Sequence, residues 1–328
     1  MANSPFLDSI RKQMMTLRYA KRTIDTYTYW ISLFFLHNNK QHPCELSDEH
    51  IEAFLSHLVN QRNVSVSTQK TALNALVFLY AKILNRPPQL NLNFNRATQP
   101  RKLPVVLSIS EVKQLFSALN PPYLLPAQVL YGSDLRLMEC LRLRVQDVDF
   151  NYATLRIWNA KGGKHRHVTL APELFESIKL QIDITKRYFL SDLQDPRFAG
   201  AWLPNALARK HPNASKELGW QYIFAASSLS LDPMARTHRR HHFHETSLQK
   251  AVRSAALKCH FKKPVSCHTL RHSFATHLVE NGADIRVEDE NGSSVLSYTA
   301  NPNTYEAAQY LIEKGVDVKH KNKFINVL

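Results

Sequence analysis

The sequence CHTLRHSFATHL, residues 267–278, is the most informative part of this 328-residue chain, because it places His268 and Arg271 at the start of a predicted helix. Two other stretches carry cations in comparable positions. YGSDLRLME, residues 131–139, puts Arg136 near a helix start, and AKGGK, residues 160–164, puts Lys161 in a glycine turn. If the four side chains converge, they form a site for acting on a phosphate group.

Each of these residue types suits phosphoryl transfer without a metal. An arginine fork binds phosphate oxygens bidentately, a lysine on a mobile turn can protonate a leaving oxygen, and a histidine transfers protons near neutral pH. Taken singly, each also has a structural explanation. Arg136 could pair with a nearby acid, Lys161 could be an exposed turn residue, and His268 could cap its helix.

Composition indicates the kind of partner. The chain has a formal net charge of +15, which favours a polyanion, with nucleic acid first and an anionic membrane surface second. The sequence contains neither a run of about 18 apolar residues nor the pattern of a signal peptide, so we expect a cytoplasmic protein with no membrane partner. The four cysteines form no CxxC pair, and the glycines form no phosphate-binding loop, so we expect no disulfide framework, zinc-thiolate site or nucleotide cofactor.

The chain is predicted to divide into four parts. Residues 1–86 show helical spacing of apolar residues, with Ser47 and Ser67 as candidate N-caps, and predict an all-helical domain. Residues 87–104 are proline-rich and basic and predict an extended linker. Residues 105–286 form a mixed, mainly helical domain, and residues 287–328 form a different C-terminal tail. The fold class is therefore mainly α with a small β-hairpin or sheet.

Within the second domain, Ser108 and Glu111 have the spacing of a capping box. A helix is predicted over residues 130–143, and the alternating pattern of residues 147–170 predicts a hairpin or three short strands. Helices are predicted to resume near Pro172 and to continue, with an interruption, to about Glu280. In the first domain, the cations Arg18, Lys21 and Arg22 are candidates for DNA phosphate contacts; a solvated helix face is the alternative interpretation.

The tail differs in kind from the rest. NGADIRVEDENG at Asn281 and KGVDVKHKNKF at Lys314 align with an interval of 33 residues, which is the ankyrin period. About one and a half repeats are present, fewer than the roughly three that a stable stack needs. Since the first 286 residues carry a net charge of +17, the polyanion-binding surface is predicted to lie upstream of the tail.

These motifs closely resemble those of the tyrosine recombinases, and more narrowly of the integron integrases, over residues 6–286. The resemblance implies a helical core-binding domain and a catalytic domain clamped around DNA, strand cleavage through a phosphotyrosyl intermediate, and strand exchange within a tetramer. It implies no cofactor or metal. It would make Arg136 and Arg271 the clamp on the scissile phosphate, Lys161 the general acid, and His268 a proton-transfer or phosphate-positioning residue.

The narrower resemblance rests on an insertion at about residues 190–245, which in integron integrases recognises bases flipped out of a folded single-stranded site. The resemblance implies that Trp158 and Trp220 flank one extrahelical base and that Pro233, His241 and His242 contact another. Stacking on aromatic faces suits this task. The alternatives are zinc binding by the histidines at 238, 241, 242 and 244, and a purely structural role for the two tryptophans.

The sequence departs from the family in two places. The family's second histidine and its nucleophilic tyrosine would fall at Ser294 and Asn303, and neither side chain can do that chemistry. Tyr305 is the nearest candidate nucleophile, two residues from the expected position. Asp134 stands where the family usually has glycine, and we expect it either to pair with Arg136 or to cap the following helix.

The sequence therefore predicts a DNA-binding protein of integron-integrase descent, with strand cleavage lost or impaired and weak tetramer assembly on DNA. Its partners are expected to be double-stranded and folded single-stranded recombination sites. Two alternatives remain open: an active recombinase that uses Tyr305 or a tyrosine in trans, and an interaction protein whose ankyrin-like tail binds a protein partner. The tail itself is explained by the hypothesis that an integrase gene was joined to an unrelated ankyrin-encoding sequence.

Overall fold

The computed structural model describes residues 4–88, 94–97, 104–158 and 165–280. The chain divides into two compact units, residues 1–102 and 103–328. The glycine turn that contains Lys161 and the whole predicted ankyrin-like tail lie outside the described residues. None of the helices in the described ranges is long and apolar enough to cross a membrane.

The first unit is helical, as predicted. Its described residues form α1 (Pro5–Thr16), α2 (Lys21–His37), α3 (Asp48–Asn60) and α4 (Val66–Phe78). Apolar side chains from all four helices meet in one core, among them Ile10, Ile31, Phe34, Leu55 and Leu76, each fully buried.

The caps of two of these helices test the sequence prediction. Ser47 caps α3, and its backbone N–H donates to Nδ1 of His50 at 3.1 Å. The prediction that Ser67 caps α4 is wrong. The cap is Ser65, whose hydroxyl accepts from the N–H of Thr68 at 3.3 Å, so the helix begins two residues earlier than expected.

The second unit combines helices with two small antiparallel sheets. Its helices are α5 (Ile109–Ala118), α6 (Leu124–Gly132), α7 (Leu137–Leu141), α8 (Phe175–Asp192), α9 (Asn205–Lys210), α10 (Glu245–Lys258) and α11 (Cys267–Glu280). Its strands are β1 (Val148–Asp149), β2 (Thr154–Ile157), β3 (Arg166–Thr169), β4 (Ser230–Leu231) and β5 (His238–Arg239). The capping box of Ser108 and Glu111 at the start of α5 is confirmed, with the serine N–H donating to the glutamate at 2.7 Å.

The prediction of a single helix over residues 130–143 is wrong. The helical path stops at Gly132, and Asp134 takes a φ of +49°, in the left-handed region that ends a helix. Arg136 is extended, with φ −73° and ψ 151°, and α7 begins after it. The break leaves Arg136 at the mouth of a new helix rather than in the middle of an old one.

The predicted three short strands are confirmed. β2 is the central strand of the order β1-β2-β3, and both of its pairings are antiparallel, with Leu155 opposite Val148 on one side and Val168 on the other. Leu155 and Ile157 point into the core of the unit. Arg166, the first residue of β3, links this sheet to α7 through its hydrogen bonds to Glu139.

Between α8 and α10 the chain is largely irregular, and it contains the two-stranded sheet β4-β5, which was not predicted. Arg240 anchors this segment to α8, since its Nη2 donates to Oδ1 of Asp192 at 2.6 Å and both side chains are buried. Arg239 adds hydrogen bonds to main-chain carbonyls, the shortest at 2.8 Å to Ala199. The segment is therefore held in place by arginine contacts more than by regular structure.

Candidate functional site

Arg136 is positioned by Glu139, the acid of the capping box at the start of α7. Glu139, in the first turn of α7, accepts the backbone N–H of Arg136 at 2.9 Å and one guanidinium N–H at 3.0 Å. The side chain of Arg136 nevertheless remains 38% exposed. This is the arrangement of a cation that is positioned by an acid and still able to bind an external anion.

Glu139 also fixes a second arginine. Arg166, at the start of β3, donates to both carboxylate oxygens of Glu139, at 3.0 and 2.8 Å. Burial acts to raise the pKa of Glu139, but the hydrogen bonds from Arg166 and from the backbone of Arg136 prevail and lower that pKa to about 2. The carboxylate is thus charged at neutral pH and joins α7 to the sheet.

Arg271 reaches the same cluster from α11. Its side chain is 9% exposed, and Nη2 donates to Oδ2 of Asp134 at 2.9 Å. The expectation that Asp134 pairs with Arg136 or caps the helix is therefore corrected: its hydrogen-bonded partner is Arg271, on a different helix. We call Asp134, Arg136, Glu139, Arg166 and Arg271 the arginine cluster.

His268 lies one helical turn before Arg271, at the start of α11, with part of its surface accessible. Partial burial of the ring lowers the pKa of His268, and the positive charges of Arg271 and Arg136 lower it further. The imidazole is therefore neutral near pH 7. A neutral ring beside two guanidinium groups can accept or donate one hydrogen bond to a bound phosphate.

Three of the four predicted phosphate-site residues, Arg136, His268 and Arg271, are brought together by the fold. Lys161 and the nucleophile candidate Tyr305 lie outside the described residues, as do Ser294 and Asn303. Two guanidinium groups and an imidazole that lie this close together can bind a phosphate group.

A cavity of about 760 Å³ opens beside the arginine cluster and shares Arg136 and Glu139 with it. Four of the five residues expected to contact extrahelical bases line this cavity: Trp158, Trp220, Pro233 and His241. His242 does not. It is buried, with its ring 4.0 Å from that of His241 and Nδ1 2.8 Å from the carbonyl oxygen of Phe243.

The cavity wall is organised by Arg144 and Asp147, both buried. The guanidinium of Arg144 donates to the main-chain carbonyls of Trp220 at 2.5 Å and Trp202 at 2.8 Å, and its centre lies 4.6 Å from the ring centroid of Tyr222. Asp147 accepts the indole N–H of Trp158 at 2.6 Å. We call this region, together with the cavity, the tryptophan cavity.

The histidines of this region do not form a metal centre among the residues that the structure describes, where no group of three metal-ligating side chains is found. Burial lowers the pKa of His242 to about 4, so its ring is neutral at physiological pH. A neutral ring packed edge-on against Tyr222 serves to support the wall behind His241.

In the first unit, the three candidate phosphate contacts lie together at the junction of α1 and α2. Arg18 occupies the turn with φ +59°, and Lys21 and Arg22 form the first turn of α2. All three side chains are exposed. A helix N-terminus flanked by cations is a favourable place for a phosphate group.

The sequence analysis missed five residues of the second unit: Glu139, Arg144, Asp147, Arg166 and Trp202. Glu139 carried a local signal, because it stands three residues after Arg136 in the position of a capping-box acid. Asp147 has the same spacing after Arg144, whose backbone N–H it accepts at 2.9 Å. Arg144 and Arg166 act through partners that are distant in the sequence, such as the carbonyl of Trp202, 58 residues from Arg144.

Sequence profiles of two families match the chain. Residues 6–89 match the phage integrase N-terminal SAM-like domain, and residues 106–292 match the phage integrase family. An integrase/recombinase from Escherichia coli is 39% identical over 294 residues, which cover 89% of this chain and 87% of that protein.

Solved structures show the same fold. The site-specific recombinase XerH bound to palindromic difH substrate superposes with a TM-score of 0.60 at 19% identity, covering 96% of this chain and 84% of that one. A lambda integrase dimer bound to a COC' core site gives a TM-score of 0.59 at 12% identity, covering 95% of this chain and 79% of that one.

Proposed function

The chain belongs to the phage integrase family of tyrosine site-specific recombinases, and from that premise we propose that it binds recombination sites of the integron type while its strand-cleavage step is impaired. The DNA would be recognised both as duplex and as a folded single strand with extrahelical bases. XerH and lambda integrase, which share the fold, were solved on DNA.

The observation that carries the integron-type proposal is the tryptophan cavity beside the arginine cluster. Aromatic faces of Trp158 and Trp220 line one space that also receives Arg136. A base stacked on such faces gains about 1 to 3 kcal/mol with little dependence on sequence. A phosphate held by Arg136 and Arg271 would place the neighbouring nucleotide within reach of the cavity.

The proposal of impaired cleavage rests on the sequence beyond the arginine cluster. The match to the phage integrase family ends at residue 292, and Ser294 and Asn303 stand where the second histidine and the tyrosine are expected. An asparagine amide is not a nucleophile. Binding survives in this account because its residues lie upstream.

The binding proposal is tested by electrophoretic mobility shift. The two probes are DNA hairpins of equal length, one with two extrahelical bases and one fully paired. We expect at least tenfold tighter binding of the first, because each stacked base contributes about 1 to 3 kcal/mol.

Matched variants localise the effect. Trp220→Ala removes the preference, whereas Tyr152→Ala, an aromatic 82% exposed on the turn between β1 and β2, keeps it. Equal affinity of the wild-type protein for both hairpins would contradict the integron-type proposal and leave only general DNA binding.

The altered tail also bears on assembly. In this family the C-terminal helix docks into the neighbouring subunit, and the match to the phage integrase family ends at residue 292. We propose that tetramers on a folded site are weak, which sedimentation of the protein–DNA complex would measure. A stable tetramer would overturn this part of the proposal and favour an active recombinase that uses Tyr305 or a tyrosine in trans.

A further inference from the structure

Asp134 lies in the arginine cluster with an unusual backbone and an unusual partner. Its φ of +49° is a conformation that glycine adopts freely and that asparagine and aspartate tolerate best among the other residues. Its side chain is only 17% exposed, and its carboxylate lies 2.9 Å from Nη2 of Arg271. A charged side chain is therefore placed in a tight turn, facing an arginine of the proposed phosphate clamp.

We propose that Asp134 is an internal mimic of the DNA phosphate: its carboxylate occupies the anion-binding face of Arg271 and must be displaced before that arginine can bind the scissile phosphate. The inference rests on the proposed function, because it takes the DNA phosphate as the natural ligand of Arg271. It makes Asp134 a positioning residue that acts through Arg271, and it adds to the altered tail a second impairment of the site.

The geometry favours competition between Asp134 and a phosphate for Arg271 over a purely structural role of Asp134. A carboxylate and a phosphate bind an arginine through the same N–H donors, with closely similar bidentate geometry. Arg271 is 9% exposed at its side chain, so a phosphate cannot approach it from many directions. By contrast, Glu139 holds Arg136 from the side while 38% of the Arg136 side chain stays exposed.

The charges of the cluster point the same way. Three guanidinium groups, Arg136, Arg166 and Arg271, face two carboxylates, Asp134 and Glu139, and these are also the charged groups that act on Asp134. With both acids ionised, the cluster carries one net positive charge. Without Asp134 it would carry two, and a phosphate would then meet neither a competing anion nor like-charge repulsion from Asp134.

Asp134 is ionised under physiological conditions. Burial raises its pKa to about 6 against the opposing influence of the three arginines, so the group is mostly charged at pH 7.5. The charge is therefore present in the pH range where DNA binding would be measured.

The test is a double-mutant cycle that combines substitution of Asp134 with neutralisation of one phosphate of the DNA. Affinity is measured at pH 7.5 for two versions of a recombination site, one intact and one with a neutral methylphosphonate at the scissile position. The wild-type protein is compared with Asp134→Asn and Asp134→Gly, both of which accept a positive φ. Asp195→Asn serves as the control. It also removes the negative charge of an acid that pairs with an arginine, here Arg197, and it makes the same change in net charge as Asp134→Asn.

We expect neutralisation of the phosphate to weaken wild-type binding by at most about threefold and to weaken both Asp134 variants by at least about tenfold, while the Asp195 control behaves like the wild type. A tenfold loss in the wild-type protein, unchanged in the variants, would overturn the inference.

A second arm does not depend on DNA recognition. The thermal midpoint is measured with inorganic phosphate and with chloride at equal ionic strength. We expect phosphate to stabilise Asp134→Asn and Asp134→Gly but not the wild type; equal stabilisation of all three proteins would contradict the inference. If the intact site is not bound at all, the proposed function fails, and this arm still decides the role of Asp134.

Discussion

The arginine cluster and the tryptophan cavity both contain buried arginines, but the partners of those arginines differ. Arg271 and Arg166 are paired with carboxylates, Asp134 and Glu139. Arg144 instead donates to two main-chain carbonyls and lies against the aromatic ring of Tyr222. In the cluster, each of these arginines has a carboxylate partner that an anionic ligand could replace. In the cavity, one cation serves as a structural link.

This difference has a physical consequence. An arginine paired with a carboxylate can exchange that partner for a phosphate at modest net cost, because one anion replaces another. An arginine that satisfies backbone carbonyls cannot leave without stranding buried acceptors. We therefore expect substitution of Arg144 to act mainly on stability, and substitutions of the two acids of the cluster to change stability in a pH-dependent way.

The largest effect is expected at Arg144. Arg144→Leu removes hydrogen bonds to the carbonyls of Trp220 and Trp202, both lining the cavity, and should lower the free energy of unfolding by about 3 kcal/mol. Urea denaturation measures this loss. Arg142→Leu, an exposed arginine on the same cavity, is the control and should change stability by less than about 0.5 kcal/mol. Equal losses in the two variants would show that the hydrogen bonds of Arg144 do not account for the stability of the cavity wall.

Glu139→Gln is expected to have the next largest effect on stability. The folded-state pKa of Glu139, about 2, lies below its ordinary value, so its contribution is present above pH 4.5 and is lost as the pH falls towards 2. At pH 7 the substitution should cost about 2 to 3 kcal/mol, and the cost should shrink below pH 4.5. Urea denaturation at pH 7 and pH 4 measures both values; a cost that does not change with pH would show that Glu139 acts only by packing.

Asp134→Asn should show the opposite pH dependence. Because burial raises the folded-state pKa of Asp134 to about 6, its stabilising contribution is complete below about pH 4 and is lost as the pH rises through 6. Relative to the wild type, the variant should gain about 2 kcal/mol between pH 4 and pH 8. The same denaturation series gives this difference, and a difference of the same sign as for Glu139 would contradict the assignment of distinct roles to the two acids.

Trp202→Ala tests whether the cavity contributes to base stacking. Trp202 lines the cavity and is 43% exposed, so removal of its side chain should cost little stability. It should weaken the preference for a hairpin with extrahelical bases by about tenfold, because one stacking surface is lost. Competition binding with the two hairpins measures the change, and Tyr152→Ala should leave it intact. An unchanged preference would assign Trp202 to the wall alone.

The smallest effect is expected in the first unit. Arg22→Gln removes one exposed cation at the start of α2 and should reduce DNA affinity about fivefold on every sequence. The slope of log affinity against log salt should fall by about 1. Lys186→Gln on α8, also exposed, is the control. If both variants give the same slope, the candidate contact at the α1–α2 junction is wrong.

Local sequence signals were enough to predict the helical first unit, the three short strands and the start of α11. They also brought Arg136, His268 and Arg271 to notice, because their residue types and spacing carry the chemistry. The break between α6 and α7 was missed because apolar spacing continues across Asp134, although Gly132 and Asp134 are residues that favour the end of a helix.

The remaining features depend on contacts between distant parts of the chain. Asp134 pairs with a residue 137 positions away, and Arg144 links carbonyls 58 and 76 positions away. Neither partner follows from local spacing, so Asp134 was expected to serve Arg136, its neighbour in sequence. Trp202 becomes part of a cavity only through the fold of the irregular segment between α8 and α10.

The central claim, DNA binding by a site whose cleavage step is impaired, is tested most directly with a nicked suicide substrate of the integron type. Purified protein and labelled DNA are analysed in parallel by native gel shift and by denaturing electrophoresis, which detects a covalent protein–DNA adduct. The account predicts a shift without an adduct. An adduct that disappears in Tyr305→Phe would contradict it, because the tail would then supply a working nucleophile.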